Sequence, residues 1–305
     1  MLLATYQGAA HLAEQLDSLA AQEEVAWRLL WRDDGSTDGT VALLEAFGER
    51  HPAQVARLDG PAERLGAGAS FMTLLAAAPE ADAYAFMDQD DIWLPGKLKR
   101  AVALLGNGVE LVCGRLRLVD GALRPLGLSP LPRHEPVFAS LLAHNVAAGC
   151  TMVLSRHGRE LALAAPLPEG GLHDWWCALL VSGGGGRIAF DPEPMILYRQ
   201  HAANLVGGGT SLPTRMWRAL SRGAEPFRKQ LARHLEALEA APLAPDARAV
   251  LHKLEGLHDA GPLRRLRLKY AAGLRHHSAL GNVLLSLWLL LAPPPRPLDG
   301  RKPRG

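Results

Sequence analysis

Three carboxylates stand together after a short apolar run. Tyr84-Ala85-Phe86-Met87 leads into Asp88-Gln89-Asp90-Asp91, and Ile92-Trp93 follows. Hard divalent cations such as Mg²⁺ or Mn²⁺ take oxygen ligands, usually one or two carboxylates, with phosphates completing the shell. Such an ion can neutralise the charge that develops on a departing diphosphate. If the strand continues, its alternation sends Asp88 and Asp90 to the same side. The competing reading is a solvated turn in which Asp91 caps the next helix. A second polar loop, Asp33-Asp34-Gly35-Ser36-Thr37-Asp38-Gly39, follows the run from Ala26 to Arg32. There Asp33 or Asp34 could accept the imide hydrogen of a uracil or thymine base, because an ionised carboxylate only accepts. An ordinary strand-to-helix turn, with Asp38 near a helix start, accounts for the same residues.

The elements that must hold these loops are short apolar runs alternating with helical faces. Met1 to Thr5 reads as a strand. Leu12, Leu16, Leu19 and Ala20 mark a helical face. Ala26 to Arg32 reads as a second strand; Val41, Leu44 and Phe47 begin another helix. Gln54 to Leu58 is a weak third strand, Phe71 to Ala78 is helical, and Tyr84 to Met87 is a fourth strand. This alternation predicts an α/β fold with a mostly parallel central sheet flanked by helices. Ligands of such sheets bind beyond the carboxyl ends of the strands, where both acidic loops fall. The first strand is short, and either it ends there or the true start lies upstream of Met1.

A hydrophobic share of 48% over 305 residues suits one sizeable α/β domain with an appendage, or two modest domains. A net charge of +2 is too small to argue for nucleic acid. Cys113, Cys150 and Cys177 are odd in number and form no CxxC pair, so neither a disulfide framework nor a zinc site is expected, and a reducing cytoplasm fits. No signal-peptide pattern and no run of about 20 apolar residues is found. Gly66-Ala67-Gly68 lacks the third glycine of a dinucleotide-binding loop.

Several motifs recur in order. Ala4-Thr5-Tyr6-Gln7-Gly8 precedes Arg32-Asp33-Asp34-Gly35-Ser36-Thr37-Asp38-Gly39-Thr40 and Met87-Asp88-Gln89-Asp90-Asp91-Ile92-Trp93. Gly149-Cys150-Thr151-Met152, His173-Asp174-Trp175-Trp176 and Tyr198-Arg199-Gln200-His201 follow. Together, over residues 2 to 205, they resemble the family 2 glycosyltransferases of GT-A fold. The similarity is greatest to the bacterial rhamnosyltransferase-like branch that builds O-antigen and other surface polysaccharides. Gln7 departs from that pattern, which usually has Asn, and the glycine run 183–186 is unusual after a helix. The resemblance implies an inverting, metal-dependent enzyme acting on a dTDP- or UDP-sugar, with dTDP-rhamnose favoured. Thr5 and Tyr6 would line the nucleotide pocket, with Asp33 or Asp34 on the base and Asp88 and Gln89 on the donor. Asp90, as the direct ligand, would hold Mg²⁺ or Mn²⁺ with Asp91 and His201, and Asp174 would be the catalytic base. Gly149, Cys150, Trp175 and Trp176 would border the acceptor sugar.

Each role has a plainer reading. Asp174 sits near the start of a helix read from Leu172 to Ser182, where an acid is favourable anyway. Trp175 and Trp176 could equally be core residues, and Cys150 a small packing residue. Residues 1–206 are expected to form the catalytic domain and 207–292 a C-terminal helical region, broken at Pro226 and around Pro242 to Pro245. A disordered tail, 293–305, would follow. The basic stretch Arg264-Arg265-Leu266-Arg267-Leu268-Lys269, extended by Arg275, precedes the apolar run Val283 to Ala292. It suits either an anionic membrane surface or a helical hairpin packed on the catalytic domain. The expected protein is cytoplasmic, either free or peripheral on the inner face of the cytoplasmic membrane, with a glycan or lipid-linked oligosaccharide as acceptor. The rivals are the same fold with a UDP-hexose or UDP-galactofuranose donor, and a non-catalytic sugar-nucleotide-binding protein of a polysaccharide assembly complex.

Overall fold

The computed structural model describes residues 1–60, 64–200, 225–257 and 259–291. In chain order its first elements are β1 (Leu2–Thr5), α1 (Leu12–Ala20), β2 (Leu29–Asp33), α2 (Thr40–Arg50), β3 (Val55–Arg57), α3 (Ala67–Ala77) and β4 (Ala83–Met87). β5 (Ile92–Trp93), α4 (Lys97–Leu104), β6 (Val109–Gly114), β7 (Arg117–Val119), β8 (Pro125–Leu128) and α5 (Phe138–Ala143) come next. Then follow a 3₁₀ turn at Gly149–Thr151, β9 (Val153–Ser155), α6 (Arg156–Ala162), α7 (His173–Gly183), β10 (Arg187–Asp191) and β11 (Ile196–Arg199). Four helices complete the described chain: α8 (Glu225–Glu239), α9 (Pro245–Leu254), α10 (Pro262–Ala271) and α11 (Ala279–Leu291).

Seven strands form the central sheet in the order β10-β6-β9-β4-β1-β2-β3, and β5-β11-β7-β8 form a second sheet. All central pairings are parallel except those of β9, which runs antiparallel between β4 and β6. Alternation along the strands feeds two cores. Leu2, Phe86 and Leu111 join α3, α5 and α7 on one face, while Leu3, Met87 and Val112 join α1, α2 and α4 on the other. The early strands and helices lie where the apolar periodicity put them. The second sheet was not foreseen, because strands of two to four residues carry too little pattern.

The C-terminal helices extend the first core. Leu231, Leu238, Leu251, Leu285 and Leu289 are buried in the same cluster as Trp176 and Leu179 of α7. The boundary expected at 206/207 lies outside the described residues. Pro226 is the second described residue of α8, and the stretch before it, where a break was expected, lies outside the described residues. Pro245 opens α9, as the expected break around 242–245 implies.

Histidines anchor the approach to α11. His277 packs tilted against His134 at 4.1 Å, and His276 stacks on His144 at 4.0 Å. Burial, reinforced by the neighbouring imidazoles, pushes His277 down to about 4. Its folded value lies below the ordinary 6.5, so the unfolded chain takes up the proton first as the pH falls. The contribution is complete above pH 6.5 and is lost as the pH falls through about 4. The melting temperature of wild-type protein should therefore drop more steeply between pH 6.5 and 4 than that of His277→Phe. Parallel curves in a differential scanning calorimetry series would refute this.

Candidate active site

The loop after β2 is organised by its own acids. Asp33 accepts from Thr5 Oγ1 (2.9 Å), from the backbone N–H groups of Gly35 (3.0 Å) and Ser36 (2.7 Å), and from Ser36 Oγ (2.6 Å). Asp34 is buried against Arg32 and Ser70 Oγ and accepts from the N–H groups of Leu65 (2.9 Å) and Gly66 (2.6 Å). Although burial opposes it, these donors hold the Asp34 carboxyl below its usual value. A carboxylate has about four lone-pair sites, so both side chains already have a full set of donors inside the protein. They fix the loop and the approach to α3.

Two glutamines join the loops that follow β1, β2 and β4. Gln7 Oε1 accepts from Thr37 N (3.0 Å) and Asp38 N (3.2 Å), and its Nε2 donates to Thr37 Oγ1 (3.0 Å). Gln89 treats Tyr6 as a strand partner, accepting from Tyr6 N (2.9 Å) and donating to Tyr6 O (3.0 Å). Gly8 leaves room for it, since a Cβ there would lie 2.3 Å from Gln89 Oε1. The exposed Tyr6 ring carries the Arg64 guanidinium 4.1 Å from its centre.

Beyond β4 the acidic turn sinks into the protein. Asp88 and Asp90 are half-buried and Asp91 is fully buried. Burial, then the charges of Asp90 and Asp174, pushes Asp88 up to about 7. Burial, then Asp88 and Asp90, raises Asp91 well above the ordinary range. Asp91 Oδ1 accepts from Arg199 N at 3.3 Å, while Oδ2 has no hydrogen-bond partner in the protein. The donor atoms of Asp88, Asp91 and Cys150 lie within 4.8 Å of one another. Two crowded carboxylates, one with an orphaned buried oxygen, fit a hard divalent cation. Cys150 does not suit such an ion as a thiolate, because burial and the two acids keep its thiol protonated; it hydrogen-bonds Asp91 instead.

Asp174 faces this cluster from the first turn of α7. It accepts from the N–H of Trp175 at 2.6 Å, and burial outweighs this bond and the pull of the nearby Gly149 N–H and Asn145 side chain to lift its carboxyl to about 6. Asn145 is itself fixed by accepting from Ala147 N at 3.0 Å. The seam is tight: a Cβ on Gly149 would lie 2.8 Å from His173 Nε2 and 3.4 Å from Asp174 Cβ. His173 turns into the core, stacked on Phe71 at 4.3 Å and held neutral by burial, its value lowered to about 3.

Thr5, Asp33, Asp34, Asp88, Gln89, Asp90, Asp91 and Asp174 thus gather at the carboxyl ends of β1, β2 and β4. Two of the expected acceptor contacts need correction. Trp176 is fully buried, with Nε1 donating to Ala165 O at 3.2 Å, so its faces belong to the core. Cys150 is buried beside Asp91 and presents no surface to a sugar. Trp175 is half-buried, donates to Leu141 O at 2.6 Å and meets His234 of α8 edge to face at 4.8 Å. Gly149 contributes its backbone to Asp174. His201 lies outside the described residues. Sequence reasoning passed over Arg199, Lys97 and Asn145. Arg199 stood inside a quoted motif, but nothing local marks a cation whose partners are remote in sequence.

The arrangement is that of a GT-A glycosyltransferase: a mostly parallel sheet with acidic loops at its carboxyl edge. A sequence profile of the family described as Glycosyl transferase family 2 matches residues 2–156, and the chain belongs to that family. It is 27% identical over 254 residues to the dTDP-rhamnosyl transferase RfbG of Shigella flexneri, covering 77% of this chain and 84% of that protein. It is 25% identical over 158 residues to an Escherichia coli protein, the UDP-Glc:alpha-D-GlcNAc-diphosphoundecaprenol beta-1,3-glucosyltransferase WfgD. That match covers 51% of this chain and 59% of WfgD. Among solved structures, S. aureus TarS 1-349 in complex with UDP-GlcNAc matches with a TM-score of 0.58 at 16% identity, over 88% of this chain and 78% of that one. The mannosyltransferase PcManGT from Pyrobaculum calidifontis, in complex with GDP-Man and Mn²⁺, matches with a TM-score of 0.56 at 21% identity, over 95% and 79%. These likenesses establish the GT-A fold.

Arg199 is the cation that holds the acidic turn. It is buried, its Nε donates to Asp90 O (3.0 Å), its Nη1 to Gly121 O (2.8 Å) and its Nη2 to Glu14. Arg199→Met keeps much of the bulk but strands these acceptors. It should lower stability by about 2 kcal/mol, the scale of lost hydrogen bonds involving a charged group. Catalytic efficiency should fall with it, because the Asp90-Asp91 backbone is released. Urea denaturation and steady-state kinetics would read both; an unchanged midpoint would show that the turn holds itself.

Proposed function

We propose that this glycosyltransferase moves a sugar, with inversion, from a nucleoside diphosphate donor to a growing bacterial surface glycan, and that dTDP-rhamnose is the donor. The placement of Asp174 carries the reading of the chemistry: a half-buried carboxylate of raised pKa, on its own helix, facing the acidic turn. The similarity to RfbG over most of both chains supports the donor. The similarity to WfgD, over about half of each chain, favours UDP-glucose as the second candidate and supports an acceptor on a lipid diphosphate.

The thymine or uracil base would sit at the loops of Tyr6 and Asp33-Asp34. Because those carboxylates already hold their own loop, a base N–H would have to share an oxygen with an existing donor or meet backbone acceptors nearby. The acidic turn would hold a divalent cation through Asp88 and Asp91, with Asp90 beside them; His201 remains a candidate ligand. When bound, the ion supplies positive charge to the leaving diphosphate. The acceptor hydroxyl oxygen attacks the anomeric carbon while its proton passes to the Asp174 carboxylate. The bond from the anomeric carbon to the β-phosphate oxygen breaks, and the nucleoside diphosphate leaves with the electron pair. Inversion demands a base on the face opposite the leaving group, and Asp174 belongs to a different segment from Asp88 to Asp91. Trp175 N–H, at 2.6 Å, holds its carboxylate, with Gly149 N–H and Asn145 close by.

Asp174→Asn should lower single-turnover transfer about 100- to 10,000-fold, the range of general bases, while leaving donor affinity nearly unchanged. In the wild type, kcat/KM should rise with pH through about 6 as Asp174 loses its proton. Transfer by the Asn variant at the wild-type rate would place the base elsewhere, with Glu169 next in line. Excess EDTA should abolish transfer and added Mn²⁺ or Mg²⁺ restore it; undiminished activity in EDTA would remove the cation from the mechanism. Mass spectrometry of products from dTDP-rhamnose, UDP-glucose and UDP-galactofuranose tests the donor. Turnover of UDP-glucose alone would replace the rhamnosyl reading, and binding without turnover of any donor would favour a non-catalytic role.

A further inference from the structure

Helix α11 has two apolar faces where a packed surface helix needs one. Leu285 and Leu289 turn inward, each 2% exposed, and join the core shared with α7. On the opposite side Leu280, Val283, Leu287 and Leu291 are exposed by 41, 55, 40 and 77%. Steps of three, four and four residues bring these side chains into one stripe along the helix. The helix is fastened from behind: Lys269 Nζ of α10 donates to Ser286 Oγ at 2.9 Å, and the His144–His276 stack and the tilted His134–His277 contact fix the segment that enters it. The stripe is therefore presented by an anchored element. At 13 residues α11 is about 20 Å long, and among the described residues no helix is long and apolar enough to cross a membrane.

The charges around the stripe have one sign. From Ala260 to Leu298 the sequence holds Arg264, Arg265, Arg267, Lys269, Arg275 and Arg296 and no acid. Arg265 and Lys269 are buried in the contact between α10 and α11, but Arg264, Arg267 and Arg275 are exposed. Leu263 and Tyr270, 71 and 67% exposed, share the outer side of α10 with Arg264 and Arg267. Arg275 precedes the striped helix and Arg296 follows it in sequence. An apolar stripe with cations before and after it matches a surface that is apolar inside and anionic at its boundary.

We propose that α11 lies in the interface of an anionic lipid bilayer, its Leu280–Val283–Leu287–Leu291 stripe among the acyl chains and the exposed arginines at the headgroups. This deepens the proposed function, on which it rests for its purpose: an acceptor linked to a lipid diphosphate is reached from the membrane surface. The packed hairpin and the membrane surface are then two sides of the same helix.

The test is co-sedimentation of the full chain with phosphatidylcholine vesicles, with and without phosphatidylglycerol. Wild-type protein should partition into the anionic vesicles at least about 10-fold better than into the neutral ones, and raised salt should weaken it. Val283→Glu with Leu287→Glu should reduce partitioning by at least about 10-fold, since two exposed apolar contacts are lost. Arg275→Glu, which leaves the stripe intact, should reduce it by about 5-fold or more. Donor hydrolysis in solution should be unchanged in both variants, which verifies their folding. Equal partitioning of wild type and variants, or no preference for anionic vesicles, would overturn the proposal. So would a wild-type dimer in light scattering that the double variant dissolves without altering vesicle binding, which assigns the stripe to a second copy. Vesicle binding without turnover of any sugar nucleotide would instead sink the catalytic reading and leave the lipid surface standing.

Discussion

Negative charge buried at the end of β4 is the constraint that orders this candidate site. Asp88, Asp90 and Asp91 occupy a short turn, and one oxygen of Asp91 is enclosed without a donor. Crowding of this kind costs several kcal/mol unless cations answer it. The protein answers only in part. Arg199 ties down the backbone of the turn, and the ammonium of buried Lys97 rests 3.6 Å from the centre of the Trp93 ring. Burial lowers Lys97 to about 7, against the opposing pull of the Asp91 carboxylate. The remaining deficit of positive charge is what the proposed cation would supply.

The other loops are arranged to need nothing. Asp33 and Asp34 have their donors inside the protein, Gln7 closes the first loop onto the second, and Gln89 closes the third onto the first. Three segments distant in sequence thus share side-chain bonds at one edge of the sheet. A site fixed by its supporting contacts loses little entropy when substrate arrives. The contrast is functional: self-sufficient loops define the walls, and an unsatisfied acidic turn defines where charge is received.

Much of this was legible in the sequence because motifs and periodicity are local properties. Apolar runs ending in Asp33 and Asp88 place both loops at strand ends, and the spacing of Leu12, Leu16 and Leu19 gives α1 its face. What escaped was non-local. Nothing near Arg199 reveals that its partners are Glu14, Asp90 and Gly121, and nothing near Asn145 reveals that it lies beside Asp174. Asp33 and Asp34 look free for a ligand until the backbone amides they engage are seen. Trp175 and Trp176 are adjacent and chemically alike, yet α7 turns the second wholly inward. Helix α11 reads as uniformly apolar, and only its packing separates the two faces.

The single core that runs from α3 through α7 to α11 has a geometric consequence. Leu285 and Leu289 pack in the same cluster as Trp176, two residues beyond Asp174. No lubricated seam separates the helix that carries the carboxylate from the helix that carries the outward stripe. With Asp174 as the proposed base and α11 on the proposed lipid surface, the reacting centre would stand above that surface at a height set by packed side chains. Such a tool would have a fixed reach: it would select acceptors by how far their hydroxyl projects from the plane that anchors them, as a lathe selects work by the height of its spindle.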